Sequence, residues 1–348
     1  MSTIKAYGNY SATSELISLE IERRDIQPTD VAIEILYCGV CHSDIHTARS
    51  EWGPARYPVV PGHEIIGKVT AVGIKVKNFK VGDSVGVGCM VDSCQHCSAC
   101  EEGLEQYCEN AATFTYGSPD KISGGHTFGG YSEKIVVDES FVLRIPENLN
   151  LAKAAPLLCA GITTWSPLRH WNVKSGDKVG IVGLGGLGHM GVKFAKAMGA
   201  YTIMITTSPE KGADAKLLGA DEVLISKDSE SMKKHANSFD FLLNTIPVGH
   251  DVDPYVSLLK RDATMVLVGA VEPLTNVNSA ILVRLRKNIA GSMIGGITET
   301  QEMLDFCGEN NVLPEVEMVN IQDINEAWDR VVNADVKYRF VIDMKSLK

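Results

Sequence analysis

The sequence predicts an α/β protein with two domains, one mostly β and one built on a doubly wound parallel sheet. Its 348 residues are too many for one compact core. Short apolar runs bounded by glycines fill residues 29–90, whereas strand-like runs alternate with helical segments after about Ala154. A glycine-rich turn at residues 183–188 joins a strand to a helix within that second region.

The composition is that of an ordinary globular protein. Hydrophobic residues make up 45% and charged residues 22%, so there is enough apolar surface to exclude disorder. The net charge of −10, from 33 Lys and Arg against 43 Asp and Glu, makes nucleic acid or membrane partners unexpected. No run reaches the roughly 18 apolar residues of a membrane span, and acidic residues interrupt the N-terminal segment where a signal peptide would need an apolar core. We therefore expect a cytoplasmic protein.

The first domain is predicted from apolar alternation. Residues 30–37 alternate apolar and other side chains, and residues 63–72 and 81–87 form similar short runs. Glycines bound these segments, which indicates a compact, partly barrel-like β domain.

The second domain is predicted from alternating element types. Strands are expected at 178–182, 201–206, 223–225, 239–244 and 264–268, and helices at 186–198 and 209–218. This alternation indicates a parallel sheet with helices on both faces. A last alternating segment at 337–343 is expected to return to the first domain, because the α/β unit is complete without it.

A dinucleotide site is predicted where the strand 178–182 enters the glycine-rich turn. The turn supplies Gly183, Gly185, Gly186, Leu187 and Gly188, and a helix follows at once. Glycines permit a tight turn and close backbone approach, and the helix N-terminus offers free N–H groups to a pyrophosphate. The alternative is a purely structural glycine turn.

The end of the second strand favours NADP over NAD. An NAD site would place Asp or Glu there, whereas this chain has Thr206, Thr207 and Ser208, followed by Lys211. Hydroxyls and a cation suit a 2′-phosphate. Helix capping by the same Thr and Ser side chains is the alternative, and both roles are compatible.

The nine cysteines are an odd number, which argues against a disulfide framework. Cys94, Cys97, Cys100 and Cys108 supply four thiolates from one loop, enough to close the shell of a structural zinc. An iron–sulfur cluster is the rival, but Cys108 lies too far along and precedes Glu109 rather than proline. A zinc-ribbon nucleic-acid module is disfavoured by the acidic composition, and His96 is expected to be solvated.

A second metal set is dispersed along the chain. Cys41, His63 and Cys159 would offer zinc two thiolates and an imidazole and leave a fourth position open. Each residue also has a plainer interpretation: Cys159, for example, lies in an apolar run and is typical of a buried small side chain.

Taken together, these segments resemble the zinc-dependent medium-chain alcohol dehydrogenases, most closely the cinnamyl alcohol dehydrogenase branch with its bacterial broad-range NADPH-dependent aldehyde reductases. The resemblance covers essentially the whole chain. It implies a zinc-binding, GroES-like catalytic domain at 1–154 and 296–348, with a structural zinc loop at 89–110, and a Rossmann NADP-binding domain at 155–295. It also implies a homodimer formed through an edge strand near 288–296. The resemblance rests on the motifs at 39–46, 61–64, 156–163 and 337–340, on the four-cysteine loop and on the glycine turn.

The resemblance assigns roles at the catalytic zinc. It implies that Cys41, His63 and Cys159 bind zinc, and that Glu64 swings onto the ion when substrate is absent. Asp44 would orient the histidine ligand. Ser43 and His46 would form a proton relay, on one face if the chain turns helically there.

The resemblance also assigns binding contacts. His42 would contact the pyrophosphate, and Ser208 and Lys211 the 2′-phosphate of NADP. Trp52, Phe114 and Met293 would line the substrate pocket, where Phe114 and Met293 favour a broader aldehyde range than lignin precursors.

The expected activity is reduction of aldehydes such as cinnamaldehyde to primary alcohols by NADPH, with two zinc ions per chain. An NAD-dependent zinc polyol or threonine dehydrogenase is one alternative. A catalytically silent zinc-binding structural or regulatory protein is another. The remaining cysteines, Cys38, Cys89 and Cys307, are expected to be buried packing residues.

Overall fold

The computed structural model describes residues 1–269, 272–274 and 277–347, and the chain divides into two compact units. The first comprises Met1–Cys159 and Gly295–Lys348, and the second comprises Ala160–Ile294. Residues 155–159, expected in the second domain, therefore belong to the first unit. The reason is packing, because the 3-10 turn Ala155–Leu158 lies against four strands of the first unit's main sheet. Within the described ranges, no helix has the length and apolar character needed to cross a membrane.

The main sheet of the first unit has seven strands, and Asp30–Gly39 lies at its centre. This ten-residue strand pairs antiparallel with three others, and one of its faces, with Val31, Ile33 and Ile35, is apolar and buried. In sheet order the strands are Val316–Asn320, Arg339–Asp343, Asp30–Gly39, Ile65–Val72, Ser84–Val87 and Leu143–Arg144, with Lys134–Asp138 also on Asp30–Gly39. The pairing of Arg339–Asp343 with Asp30–Gly39 confirms that the C-terminal segment returns to this unit.

Smaller elements complete the first unit. Two antiparallel pairs are formed by Ser2–Gly8 with Ile17–Arg23 and by Met90–Asp92 with Thr113–Phe114. The α-helices are His42–Ala48, Ser98–Glu101, Leu151–Ala154, Ile297–Asn310 and Ile324–Val332. Besides Ala155–Leu158, the 3-10 turns are Glu105–Tyr107, Glu139–Phe141, Ile321–Asp323 and Met344–Ser346.

The second unit is a six-stranded parallel sheet with helical crossovers, which is the doubly wound Rossmann fold that the sequence predicts. Its order is Glu222–Ile225, Tyr201–Thr206, Lys178–Val182, Phe239–Asn244, Leu259–Leu267 and Asn288–Gly291. The strand order reverses beside Lys178–Val182, and ligands of such sheets bind at the carboxyl ends of the strands at that point. The helices are Ala160–His170, Gly188–Ala197, Gly212–Leu217, Ser229–Lys234, Asp253–Val256 and Ser279–Leu285, with a 3-10 turn at Pro209–Lys211.

Candidate active site

The first turn of the helix His42–Ala48 organises one side of the site. Cys41 is the residue that caps this helix, and its backbone N–H donates to Oδ2 of Asp44 at 2.9 Å. The Asp44 carboxylate thereby satisfies one of the free N–H groups at the helix start. The Sγ atom of Cys41 lies 3.5 Å from Oγ of Ser43, so a hydroxyl stands directly beside a candidate metal ligand.

Four buried side chains converge on one point. One candidate ligand atom each from Cys41, His63, Glu64 and Cys159 lies within 4.8 Å of the others, and the two sulfurs are 3.9 Å apart. Oε2 of Glu64 is buried without a hydrogen-bond donor among the described residues, whereas Oε1 faces the guanidinium of Arg339 at 3.0 Å. Two thiolates, an imidazole and an acceptor lacking donors are the groups that a zinc ion satisfies. The residues present therefore fit zinc.

Asp44 fixes the orientation of His63. Its Oδ1 lies 3.1 Å from Nδ1 of His63 and accepts the N–H of Gly62 at 3.0 Å. Asp44 is fully buried. Burial by itself lowers the pKa of His63, but the charges of Asp44 and Cys89 and the hydrogen bonds with Asp44 and Cys41 together raise the pKa well above its usual value. With Nδ1 directed at Asp44, Nε2 is the nitrogen left for a metal.

Arg339 is a member of this site that sequence reasoning missed. Its Nη2 lies 3.0 Å from Oε1 of Glu64, and its Nη1 donates to the carbonyl of Val40 at 3.3 Å. Burial raises the pKa of Glu64 to about 7, and the nearby Arg339 charge acts in the opposite direction. A Cβ on Gly39 would lie 1.9 Å from Oε2 of Glu64, so the glycine makes room for this carboxylate. The alternating segment 337–343 predicted a strand, but nothing in it marked Arg339 as a charge partner.

His46 lies within a stack of three rings. Its ring centroid is 4.6 Å from that of His42 and 5.0 Å from that of Trp52. Nδ1 of His46 also forms a hydrogen bond with the carboxylate of Glu51, a residue that the sequence analysis did not single out. His46 and Ser43 are both on the helix His42–Ala48, three positions apart. Trp52, expected in the substrate pocket, thus contacts the histidine expected in the relay and is 52% exposed.

The other two expected pocket residues belong to different units. Phe114 ends the short strand Thr113–Phe114 in the first unit, and Met293 lies in the second. Both side chains are exposed, by 39% and 43% respectively.

The four-cysteine loop forms a second, separate cluster. The sulfurs of Cys94, Cys97, Cys100 and Cys108 lie within 4.8 Å of one another. The backbone N–H of Cys94 donates to Sγ of Cys108, and that of Glu109 to Sγ of Cys97, both at 3.4 Å. These contacts favour thiolates, and four thiolates close a tetrahedral shell.

The thiols of this loop differ in pKa, and His96 lies beside them without joining the cluster. Hydrogen bonds from the His96 backbone and from Asn110 lower the pKa of Cys94 to about 5, whereas burial raises that of Cys100 to about 11. The His96 ring bonds to the carbonyl of Cys94 and stays exposed, so this histidine is not in the cluster.

The glycine turn in the second unit has the geometry of a phosphate-binding loop. Gly183 has φ +92°, and a Cβ on Gly188 would lie 1.8 Å from the carbonyl oxygen of Gly183. A Cβ on Gly185 would meet nothing within 4 Å, so the loop is open to a ligand at that position. Gly186 and Leu187 lead directly into the helix Gly188–Ala197, so the turn lies at the helix N-terminus, the end that attracts anions.

The segment after Tyr201–Thr206 places a cation beside this turn. Thr206 is buried and its Oγ1 accepts the N–H of Ser208 at 3.2 Å, while Thr207 is exposed. Nζ of Lys211 donates to the carbonyl of Leu184, inside the glycine turn, at 3.4 Å. The ammonium group and the turn therefore occupy the same edge of the sheet.

The cysteines without an expected role differ in their surroundings. Cys38 and Cys307 are buried, and burial raises the pKa of Cys38 well above its usual value. Cys89 is half-buried, contacts Cys159 and has its Sγ 3.7 Å from the carbonyl of Leu158. Cys89 is therefore a neighbour of the cluster that contains Cys159, not a residue of the ordinary core.

Two family models match the chain. The alcohol dehydrogenase GroES-like domain matches residues 27–147, and the zinc-binding dehydrogenase model matches residues 186–309. Aldehyde reductase YahK of Escherichia coli is 56% identical over 99% of each chain. NADP-dependent alcohol dehydrogenase C 1 of Mycolicibacterium smegmatis is 54% identical over the full length of both.

Solved structures agree with this result. A cinnamyl alcohol dehydrogenase from Sorghum bicolor has a TM-score of 0.96 and 43% identity, covering 100% of this chain and 99% of that one. CAD from Helicobacter pylori, complexed with NADP(H), has a TM-score of 0.93 and 41% identity, covering 99% of each chain. The chain belongs to the zinc-binding alcohol dehydrogenase family, among the medium-chain dehydrogenases of the cinnamyl alcohol dehydrogenase branch.

Proposed function

We propose that the protein is an NADPH-dependent aldehyde reductase that binds two zinc ions per chain. The reaction is NADPH + aldehyde + H⁺ to NADP⁺ + primary alcohol, reversible in principle. The observation that carries the proposal is the buried set Cys41, His63, Glu64 and Cys159 with the Ser43 hydroxyl beside it. The named activities of the Escherichia coli and Mycolicibacterium relatives support the same reaction class.

The residues of the two clusters have different roles in this proposal. Cys41, His63 and Cys159 hold the catalytic zinc, and Glu64 is the neighbouring carboxylate that joins them in the absence of substrate. When bound there, zinc supplies a Lewis acid for the substrate oxygen. Asp44 keeps His63 in the orientation that ligation needs. The four cysteines of the loop hold a structural zinc, because they leave no open position.

Ser43 and His46 handle the proton. The Ser43 hydroxyl lies beside the metal ligands, where it can donate a proton to the oxygen that becomes the alcohol. His46 is the proton reservoir of the relay, about one turn away on the same helix. Glu51 holds Nδ1 of His46, and the stacked rings of His42 and Trp52 limit its rotation.

The second unit binds NADP(H) in this proposal. The glycine turn and the helix Gly188–Ala197 receive the pyrophosphate. Thr206, Thr207, Ser208 and Lys211 receive the 2′-phosphate, since they offer hydroxyls and a cation and the strand end carries no Asp or Glu. The nicotinamide supplies the hydride. The NADP(H) complex of the Helicobacter pylori enzyme supports this cofactor.

The substrates proposed are aromatic and aliphatic aldehydes, with Trp52 and Phe114 as the pocket residues of the first unit. The chain is also proposed to act as a homodimer. The strand Asn288–Gly291 is an edge of its sheet and has no outer neighbour among the described residues, so a second copy can extend the sheet there. Sedimentation at micromolar concentration tests the dimer, and a monomer mass would contradict it.

The test is the initial rate of NADPH loss with cinnamaldehyde, run beside NADH and beside a Cys159→Ser control. Fast turnover with NADPH alone, lost in the control, is the expected result. Turnover with NADH alone would retain the zinc enzyme and overturn the cofactor assignment in favour of the NAD-dependent alternative. Inactivity of the zinc-loaded protein with both cofactors across a panel of aromatic and aliphatic aldehydes would contradict the proposed reaction.

A further inference from the structure

Tyr116 lies against the histidine of the catalytic cluster. Its ring centroid is 5.7 Å from that of His63, with an angle of 36° between the planes. The phenol interacts with two further side chains, the carboxylate of Asp44 and the hydroxyl of Thr47. One tyrosine therefore touches both the metal-binding imidazole and the carboxylate that orients it.

The backbone on both sides of Tyr116 is held in place. Thr115 donates its N–H to the carbonyl of Cys89 at 3.0 Å and its Oγ1 hydroxyl to the carbonyl of Gly88 at 2.5 Å. Gly117 donates its N–H to the carbonyl of Thr127 at 2.9 Å. These bonds fix where the tyrosine ring projects, so its contact with His63 is built into the segment that carries it.

Asp44 is the group through which the phenol can act. This fully buried carboxylate already accepts the backbone N–H groups of Cys41 and Gly62 and contacts Nδ1 of His63. The side chain of Asp44 can rotate only if these bonds are strained, and a phenol beside it removes space for that rotation. The ring of Tyr116 acts in the same way on His63, because it packs against the imidazole.

We propose that Tyr116 is a positioning residue of the metal centre, which holds the Asp44–His63 pair in the geometry that binds zinc. This inference rests on the proposed catalytic zinc site. Its consequence is a higher affinity of that site for zinc, with no direct contact between Tyr116 and the ion. Partners of a ligating histidine change metal affinity or activity by about 10–100-fold when they are altered.

The test is zinc retention in Tyr116→Phe, measured by competition with a chelator at fixed pH. We expect about 10-fold weaker binding at the catalytic site and a changed visible spectrum after cobalt substitution there. The four-cysteine site in the same chain is the internal reference, and its zinc is expected to be retained as in the wild type. Tyr201→Phe, which removes an exposed phenol from the second unit, is the matched control.

Thr47→Val separates the two partners of the phenol. If Tyr116 acts through Asp44, this variant keeps wild-type zinc affinity and the wild-type cobalt spectrum. Wild-type behaviour of Tyr116→Phe would overturn the inference, as would an equal loss in Thr47→Val. Failure of the proposed function is distinguishable, because the wild-type protein would then retain no metal outside the four-cysteine loop.

Discussion

Oε1 of Glu64 and Nη2 of Arg339 lie 3.0 Å apart, although the first residue precedes the strand Ile65–Val72 and the second begins the last strand of the chain. The exposed fraction of the two side chains is 0% and 6%, respectively. Neither charge has solvent to stabilise it, so each depends on the other.

Arg339→Met is expected to lower the free energy of unfolding by about 3–5 kcal/mol, because it leaves Glu64 buried without its cation. The double variant Arg339→Met, Glu64→Gln should recover part of this loss. Urea unfolding of the metal-free proteins measures the free energy of unfolding of the single and the double variant. If the double variant is no more stable than Arg339→Met, the two side chains are not coupled.

Gly185→Ala and Gly188→Ala should separate cofactor binding from folding. A methyl group at Gly185 meets no protein atom but enters the space of the proposed pyrophosphate, so the melting temperature of the cofactor-free protein should stay unchanged. Its Kd for NADPH should rise at least about 10-fold. A methyl group at Gly188 meets the carbonyl of Gly183, so Gly188→Ala should also lower the melting temperature. Equal melting temperatures in the two variants would contradict this account of the turn.

Lys211→Ala should weaken NADPH binding and leave NADH binding nearly unchanged, because only NADPH carries the 2′-phosphate. Loss of a charge-assisted hydrogen bond is worth about 1.5–3 kcal/mol, which corresponds to a rise of roughly 10–100-fold in the KM for NADPH. Steady-state kinetics with both cofactors measure the two values. Lys216→Ala, in the helix Gly212–Leu217 that follows, is the control and should leave the KM for both cofactors unchanged. Parallel changes for NADPH and NADH would exclude a phosphate contact by Lys211.

Ser43→Ala should lower kcat by about 100-fold or more while both zinc ions stay bound, because it removes a proton donor and no ligand. Metal analysis and turnover of the same preparation give the two results. Ser43→Thr keeps the hydroxyl and should retain most activity. Full turnover in Ser43→Ala would remove this residue from the relay.

Cys97→Ser should reduce the zinc content from two ions per chain to one, because the loop then lacks a thiolate and cannot close its shell. The remaining zinc should be the catalytic one. Cys307→Ala, at a buried thiol outside both clusters, should retain two ions and serves as the control. Two zinc ions in Cys97→Ser would contradict a structural site in the loop.

Periodicity predicted the second unit better than the first. The strands Lys178–Val182, Tyr201–Thr206 and Phe239–Asn244 have the predicted bounds, since each is a continuous run of strand-forming residues in a fully covered sheet. The strand Leu259–Leu267 starts five residues earlier than predicted. Its first part contains charged residues, with Asp262 at φ +66°, and pairs across a register shift. The polar residues at the start of this strand gave no strand signal in the sequence, because their pairing depends on the neighbouring strand Phe239–Asn244.

The candidate metal ligands could be anticipated because thiols and imidazoles are metal-binding groups in any fold, and the structure brings them together. Their surroundings could not be anticipated. Arg339, Glu51 and Tyr116 belong to common residue types and acquire a role only when the fold brings them against Glu64, His46 and His63. The start of the strand Ile65–Val72 was mispredicted for the same reason. The sequence predicts the strand from residue 63, but His63 and Glu64 belong to the cluster and do not continue the sheet.

The strand Arg339–Asp343 has a consequence for synthesis on the ribosome. Residues 160–294 form one continuous segment, so the second unit has all its strands before the final 54 residues, 295–348, are translated. The central sheet of the first unit must wait for Arg339–Asp343 to emerge. At about 5–20 residues per second, the roughly 180 residues between Cys159 and Arg339 take on the order of 10–40 s to translate. During that interval the nascent chain exposes the edge of Asp30–Gly39 that Arg339–Asp343 later covers and leaves Glu64 without its cation, so the first unit can complete its central sheet only after these residues have been synthesised.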